Sequence, residues 1–253
     1  MAMLNEILAH ITPLQLLLVM LGVMGAAVLR AFTGFGFGLA AVPIFSLFLA
    51  PTQAVVLSSS LTFTISLLTV RTYWGGYPLR PMLPILAMAL LGTVLGVLLL
   101  GSLSVPQFQL LIGIAVIAAC LVLSRYHPRQ RQAGLAVSGA TGLASGLLNG
   151  AFAIPGPPVV IYAMVTESEP AASRAFLMTF FMFSALLALL SYGVAGFITP
   201  LSPWLFVLAF PAMFLGDKLG YYLFRRYGTG LYRRVALLVL LAVGLAITAR
   251  SLL

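Results

Sequence analysis

The amino-acid sequence predicts an all-α polytopic membrane protein built as two inverted repeats of about five segments each, with one short broken or re-entrant segment per repeat. Three observations lead there: an almost wholly apolar composition, two Gly- and Pro-broken stretches at matching places in the two halves, and loop charges that reverse between the halves. The 253 residues are 62% hydrophobic and only 7% charged, too little polar material to cover a soluble fold. Apolar runs fill nearly the whole length, so one membrane domain is expected over 1–253, without a soluble catalytic or receptor module.

Apolar stretches bounded by Pro, Gly or charge run over 14–29, 35–50, 53–70, 81–100, 105–123, 134–148, 151–165, 175–192, 203–224 and 235–249. A full crossing takes about 20 residues. The stretches 35–50 and 151–165 are shorter and interrupted by Gly and Pro, so these two are expected to break or re-enter. The first run is expected to be retained, because Glu6 and His10 precede it instead of the Lys or Arg of a signal peptide and no convincing small-residue cleavage site follows.

One constant offset lays Gly22, Gly25, Phe35 and Phe45 over Gly139, Gly142, Phe152 and Tyr162, and LLGTVLG (Leu90 to Gly96) matches FLGDKLG (Phe214 to Gly220) after small insertions. This divides the chain into repeat 1 (13–123), a basic linker (124–133) and repeat 2 (134–253). Loop charge sets their relative orientation. RTYWGGYPLR carries two arginines while its counterpart GVAGFITPLSP is uncharged; GSLSVP is uncharged while RRYGTGLYRR holds four. Basic loops face the cytoplasm, so equivalent loops face opposite sides and the repeats are inverted, as an odd number of segments per half requires. The linker SRYHPRQRQ is then cytoplasmic and both termini lie outside, with Arg250 against the rule. The net charge of +9 orients the chain in the lipid bilayer and does not point to nucleic acid.

Paired short, broken segments in inverted repeats mark a transporter binding site near the bilayer midplane. They are RAFTGFGFGLAAVP (Arg30 to Pro43) and GLLNGAFAIPGPPVVIY (Gly146 to Tyr162). If each restarts as a helix, near Leu39 and near Pro158, two positive helix ends with free N–H groups face inward, which suits a small oxyanion. Arg30 would attract the charge, Thr33 and Asn149 would add neutral hydrogen bonds, and Gly34, Gly36, Gly38, Gly150, Pro155 and Gly156 would shape the break and admit the ligand to the backbone. Arg30 has a second reading as an interfacial cation snorkelling to the headgroups. Ser59, Thr62 and Ser66 share one helical face at i, i+3 and i+7, with Ser59 and Thr62 as pathway residues; Ser and Thr in membrane helices also bond back to their own backbone. The small-residue sets Gly92/Gly96, Gly142/Gly146/Gly150 and Gly216/Gly220 are expected to be helix-packing surfaces.

Asp217 is the only aspartate and, with Glu6, Glu167 and Glu169 outside the apolar runs, the only acid placed to move protons within the membrane. It is the candidate coupling residue; Lys218 beside it is expected to snorkel. The single cysteine, Cys120, is expected to pack, and no cofactor or metal is expected because no ligands cluster. A membrane-embedded enzyme is disfavoured: an aspartyl protease needs two aspartates and a serine protease a buried histidine, whereas His10 and His127 lie at segment ends or in loops. A passive anion channel remains an alternative to a carrier.

The glycine-rich break followed by proline in LRAFTGFGFGLAAVP, its counterpart GLASGLLNGAFAIPGPPVVIY, the paired LGTVLG and LGDKLG, and the basic turn RRYGTGLYRRVALLVLLAVGLAI together resemble the sulfite exporter TauE/SafE family, also called the toluene sulfonate uptake permeases. The resemblance covers nearly the whole chain. It implies a bacterial inner-membrane permease with two inverted halves that moves small sulfur-containing or organic anions, such as sulfite, sulfonates or sulfoacetate-like compounds. Phe35 and Phe37 between the glycines depart from the commoner GIGGG-like run, which implies a larger or more apolar site. Export by alternating access is the expected mode, because an inside-negative potential favours anion exit by about 2.3 kcal/mol per charge per 100 mV.

Overall fold

The computed structural model describes residues 12–33, 36–125, 133–227 and 229–252, and within them ten α-helices follow one another with no strand. They are α1 (Pro13–Thr33), α2 (Phe37–Phe45), α3 (Pro51–Leu68), α4 (Leu83–Ser102), α5 (Val105–Arg125), α6 (Leu135–Phe152), α7 (Gly156–Thr166), α8 (Pro170–Val194), α9 (Leu201–Tyr227) and α10 (Thr229–Leu252). Proline stands at the first or second position of α1, α3, α4, α5, α7 and α8. There its fixed φ suits the helix and its missing N–H costs nothing. This also explains why α8 starts at Pro170, ahead of the apolar run at 175: the polar first turn belongs to the helix although not to the hydrophobic segment. Most of the 124–133 linker lies outside the described residues, as do Glu6, His10 and His127.

Among the described residues, six helices, α1, α3, α4, α5, α6 and α8, are long and apolar enough to cross a membrane. The two segments expected to be broken do not cross by themselves. With nine and eleven residues, α2 and α7 span about 14 and 17 Å at 1.5 Å per residue, about half of a 30 Å hydrocarbon core. Both restart two residues earlier than the expected Leu39 and Pro158, at Phe37 and Gly156. Gly36 itself takes the left-handed turn, φ 90°, so the helix can begin at the next residue. In α7 the prolines at 157 and 158 occupy first-turn positions that need no donor.

Helix pairing has a regular exchange. The fourth helix of each half lies along the first helix of the other, α4 on α6 and α9 on α1, while α3 pairs with α8 and α5 with α10. The small-residue sets make the first two contacts possible. A Cβ at Gly142, Gly146 or Gly150 of α6 would collide with the carbonyls of Ile85, Ala89 and Thr93, and one at Gly92 or Gly96 of α4 with those of Leu143 and Leu147. Gly216 and Gly220 of α9 meet the Met24 and Val28 carbonyls of α1 in the same way. These glycines are packing surfaces, as their spacing predicts: with lipid on the outside as apolar as the core, helices gain from backbone-to-backbone approach. The other side of α4 carries Leu91, Leu95 and Leu98, all exposed, which is a lipid-facing stripe.

The core between the helices is mainly aliphatic, with Phe45, Phe108, Phe176, Phe180 and Tyr192 fully buried in it, and Cys120 is buried in the same cluster as Phe45, Phe108 and Tyr192. At one end, the loop joining α3 to α4 folds over the bundle through 3-10 turns at Val70–Thr72 and Arg80–Met82. Its Tyr77 hydroxyl donates to Glu167, in the turn after α7, at 3.0 Å. Burial, and then the Glu167 carboxylate, push the Tyr77 phenol above its ordinary value, so it remains a donor at neutral pH.

Candidate functional site: a cavity between two helix breaks

Both breaks carry a left-handed residue at matching positions. The offset that pairs Gly22 with Gly139 also pairs Gly36, φ 90°, with Ala153, φ 53°. Ala153 closes α6, its N–H returning to the Asn149 carbonyl at 2.7 Å, and the Ile154 N–H reaches the Leu148 carbonyl at 3.2 Å. Carbonyls freed by this break must be satisfied inside the protein. The Tyr192 hydroxyl lies 2.9 and 3.0 Å from the Asn149 and Gly150 carbonyls, and the Ser145 hydroxyl donates to the Pro155 carbonyl. A left-handed alanine costs about 1 kcal/mol relative to glycine. Ala153→Gly should therefore raise the thermal unfolding midpoint of the detergent-solubilised protein; a lower midpoint would mean that packing of the methyl group outweighs the backbone strain.

The two breaks face each other across a partly open cavity of about 40 Å³, more than the roughly 10–15 Å³ that admits one water. Gly36, Phe37, Gly38 and Leu39 line it from the first half, and Ala153, Ile154, Pro155 and Gly156 from the second. Arg30 from α1, Thr62 and Ser66 from α3, and Met178 and Phe181 from α8 complete the wall. Gly38 is the point of closest approach: a Cβ there would overlap the Ala153 carbonyl oxygen and come within 3.4 Å of the Ser58 hydroxyl.

Six of the residues expected at a site are thus brought together: Arg30, Gly36, Gly38, Thr62, Pro155 and Gly156. Three are placed elsewhere. Gly150 packs against α4. The Asn149 side chain donates to the Ser184 carbonyl at 2.8 Å and contacts the Thr93 hydroxyl at 3.5 Å, tying α6 to α8 and α4. Ser59 is buried beside Tyr192 and does not reach the cavity. Gly34 and the phenyl-bearing Phe35 lie outside the described residues, and Thr33 is described only as the last residue of α1. The back-bonding alternative for α3 holds at Ser66, whose hydroxyl donates to the Thr62 carbonyl at 2.7 Å, even though Ser66 also lines the cavity. Ala153, Ile154, Met178 and Phe181 are the additions; the constant offset, applied to Gly36 and Phe37, would have pointed to the first two.

The hydrogen-bond donors at the cavity are unequal, contrary to the expectation of two equivalent helix ends. In α2 the amides of Phe37, Gly38 and Leu39 occupy the first turn, which has no carbonyl of its own to bond. In α7 the residues at 155, 157 and 158 are prolines with no N–H. The Gly156 amide is what the first turn of α7 retains, along with the helix dipole. An anion in this space would take its backbone hydrogen bonds mainly from the first break.

Arg30 is the cation at this site. It is only 8% exposed, and its Nη1 lies 3.4 Å from Oδ1 of Asp217 on α9. Tyr73 and Arg174 are within electrostatic reach of it. The two charged residues singled out separately in the sequence are therefore partners. Lys218 points elsewhere, its Nζ 4.4 Å from the centre of the Phe214 ring.

A family model for the sulfite exporter TauE/SafE matches residues 18–247, which takes in both breaks and all ten helices at least in part. The chain belongs to the sulfite exporter TauE/SafE family. This is a family of membrane transporters of the sulfite and sulfonate exporter type, in keeping with the multi-pass helical bundle. No curated protein and no solved structure matches the chain. In this TauE/SafE protein the matched region includes every residue that lines the cavity between the broken helices.

Proposed function

We propose that the protein is an inner-membrane permease that exports small organic or sulfur-containing anions, of the sulfite, sulfonate or sulfoacetate type, by alternating access around the two helix breaks. The observation that carries this reading is the meeting of both breaks with the buried Arg30 at one cavity. A guanidinium suits a tetrahedral or pyramidal oxyanion because its planar fork matches two oxygens at once, and the α2 amides add donors that a cation would not use. The halves are read as inverted repeats, with the Arg71–Arg80 loop and the basic linker in the cytoplasm. Reversed loop charges and the mutual exchange of helix pairs both support that arrangement.

Reconstitution into liposomes tests it. Efflux of sulfite, short sulfonates and carboxylates, with and without a pH or Na⁺ gradient, should show saturable transport of at least one sulfur oxyanion, driven by an inside-negative potential. Saturation distinguishes the carrier from a passive channel. Absence of flux for every small anion would overturn the transport reading.

A further inference from the structure

We propose that Asp217 is an internal substitute for the substrate: its carboxylate neutralises Arg30 when the cavity is empty, and the incoming oxyanion displaces it. The inference rests on the proposed anion transport and concerns how the same site cycles. A buried guanidinium is costly in a membrane without a counter-charge, and Arg30 lies on the cavity wall paired with Asp217. The pair is loose. Its 3.4 Å separation exceeds the roughly 2.7–2.9 Å of a strong charge-assisted bond, and the Asp217 side chain is 29% exposed against 10% for Arg30, so the carboxylate is the less confined partner and the one that can yield when the substrate arrives.

The other half of the molecule shows that helix packing does not call for a charge here. In the matched motifs LLGTVLG and FLGDKLG, Asp217 corresponds to Thr93, and each sits between two glycines that press against the first helix of the opposite half. Thr93 makes a neutral contact to Asn149 at 3.5 Å, away from the cavity. Asp217 makes an ionic one to a residue that lines it. The carboxylate is thus added where a cation must be kept neutral, and the neutralised empty carrier is free to reorient. This makes the protein a net exporter and not an obligatory exchanger.

Two variants, Asp217→Asn and Asp217→Thr, test the proposal; the second installs the residue that the equivalent position already accepts. Sulfite is the probe, in calorimetric titration of the purified full-length protein and in liposome flux with radiolabelled sulfite. Without the competing carboxylate both variants should bind sulfite about tenfold more tightly. Net efflux should fall at least tenfold, while sulfite–sulfite exchange, in which the carrier never moves empty, should be retained. Loss of a merely structural contact would depress efflux and exchange together. If the wild type binds sulfite and the variants bind it equally or more weakly, or lose exchange along with efflux, the role of Asp217 is overturned and the transport reading stands. If none of the three proteins binds or moves sulfite, both fall.

Discussion

Arg30→Gln should reduce sulfite efflux by about 100-fold in liposomes, with most of the loss in apparent affinity. Glutamine keeps a side chain of useful reach with hydrogen-bond donors but removes the charge, so the experiment isolates the electrostatic contribution. Deleting one partner of a buried, hydrogen-bonded charge pair costs about 2–5 kcal/mol, and the lower part of that range already corresponds to about 100-fold. The substitution also strands Asp217, 29% exposed, without its cation. The double variant Arg30→Gln/Asp217→Asn should therefore recover any thermal stability lost in the single variant but not the efflux. Arg30→Lys should fall between, since an ammonium keeps the charge without the planar fork. Unchanged flux and KM in a correctly inserted Arg30→Gln protein would reduce Arg30 to an interfacial anchor and displace the proposed anion site.

The pairing of Arg30 with Asp217 is the clearest example of what sequence reasoning did not reach. Each residue stood out alone, as an embedded cation and as the single aspartate, but they are 187 positions apart. Whether they meet depends on the register of α9 against α1, set by Gly216 and Gly220 against the Met24 and Val28 carbonyls. Glycine spacing reveals that a helix has a contact face but not which helix it meets. Asn149 fails for the same reason. A polar residue beside a broken segment looks like a ligand, and only the proximity of Ser184 and Thr93 shows that its amide is occupied.

What was legible had strong local causes. The closely spaced glycines at 34, 36 and 38 and the clustered prolines at 155, 157 and 158 strongly disfavour a continuous helix, so both breaks are visible in the sequence. Their restart points were misplaced by two residues because a first turn accepts proline and glycine more readily than a helix interior does. The hydroxyl stripe on α3 was also real, since i, i+3 and i+7 share a face. What the spacing omitted was the neighbour that each hydroxyl meets: Thr62 and Ser66 line the cavity, whereas Ser59 is buried beside Tyr192.

Gly38→Ala should abolish efflux while leaving a protein that still inserts, with a loss of about 1–3 kcal/mol in stability from overpacking. The added methyl would fall on the Ala153 carbonyl oxygen, which is backbone and is held by the adjoining turn, in which Ala153 is itself bonded to Asn149. It cannot rotate aside as a side chain would. Relief requires the two breaks to separate or one of them to twist, and either movement shifts the α2 amides relative to Arg30, on which the proposed site depends. Gly25→Ala provides the control, because a Cβ there meets nothing within 4 Å and alanine favours the helix; its efflux and thermal midpoint should match or exceed those of the parent. Equal efflux from Gly38→Ala and Gly25→Ala would show that the contact between the breaks does not govern transport. A loss confined to Gly38→Ala would locate the working geometry at the backbone crossing, where Gly38 serves less to let a ligand approach α2 than to let the second break approach the first.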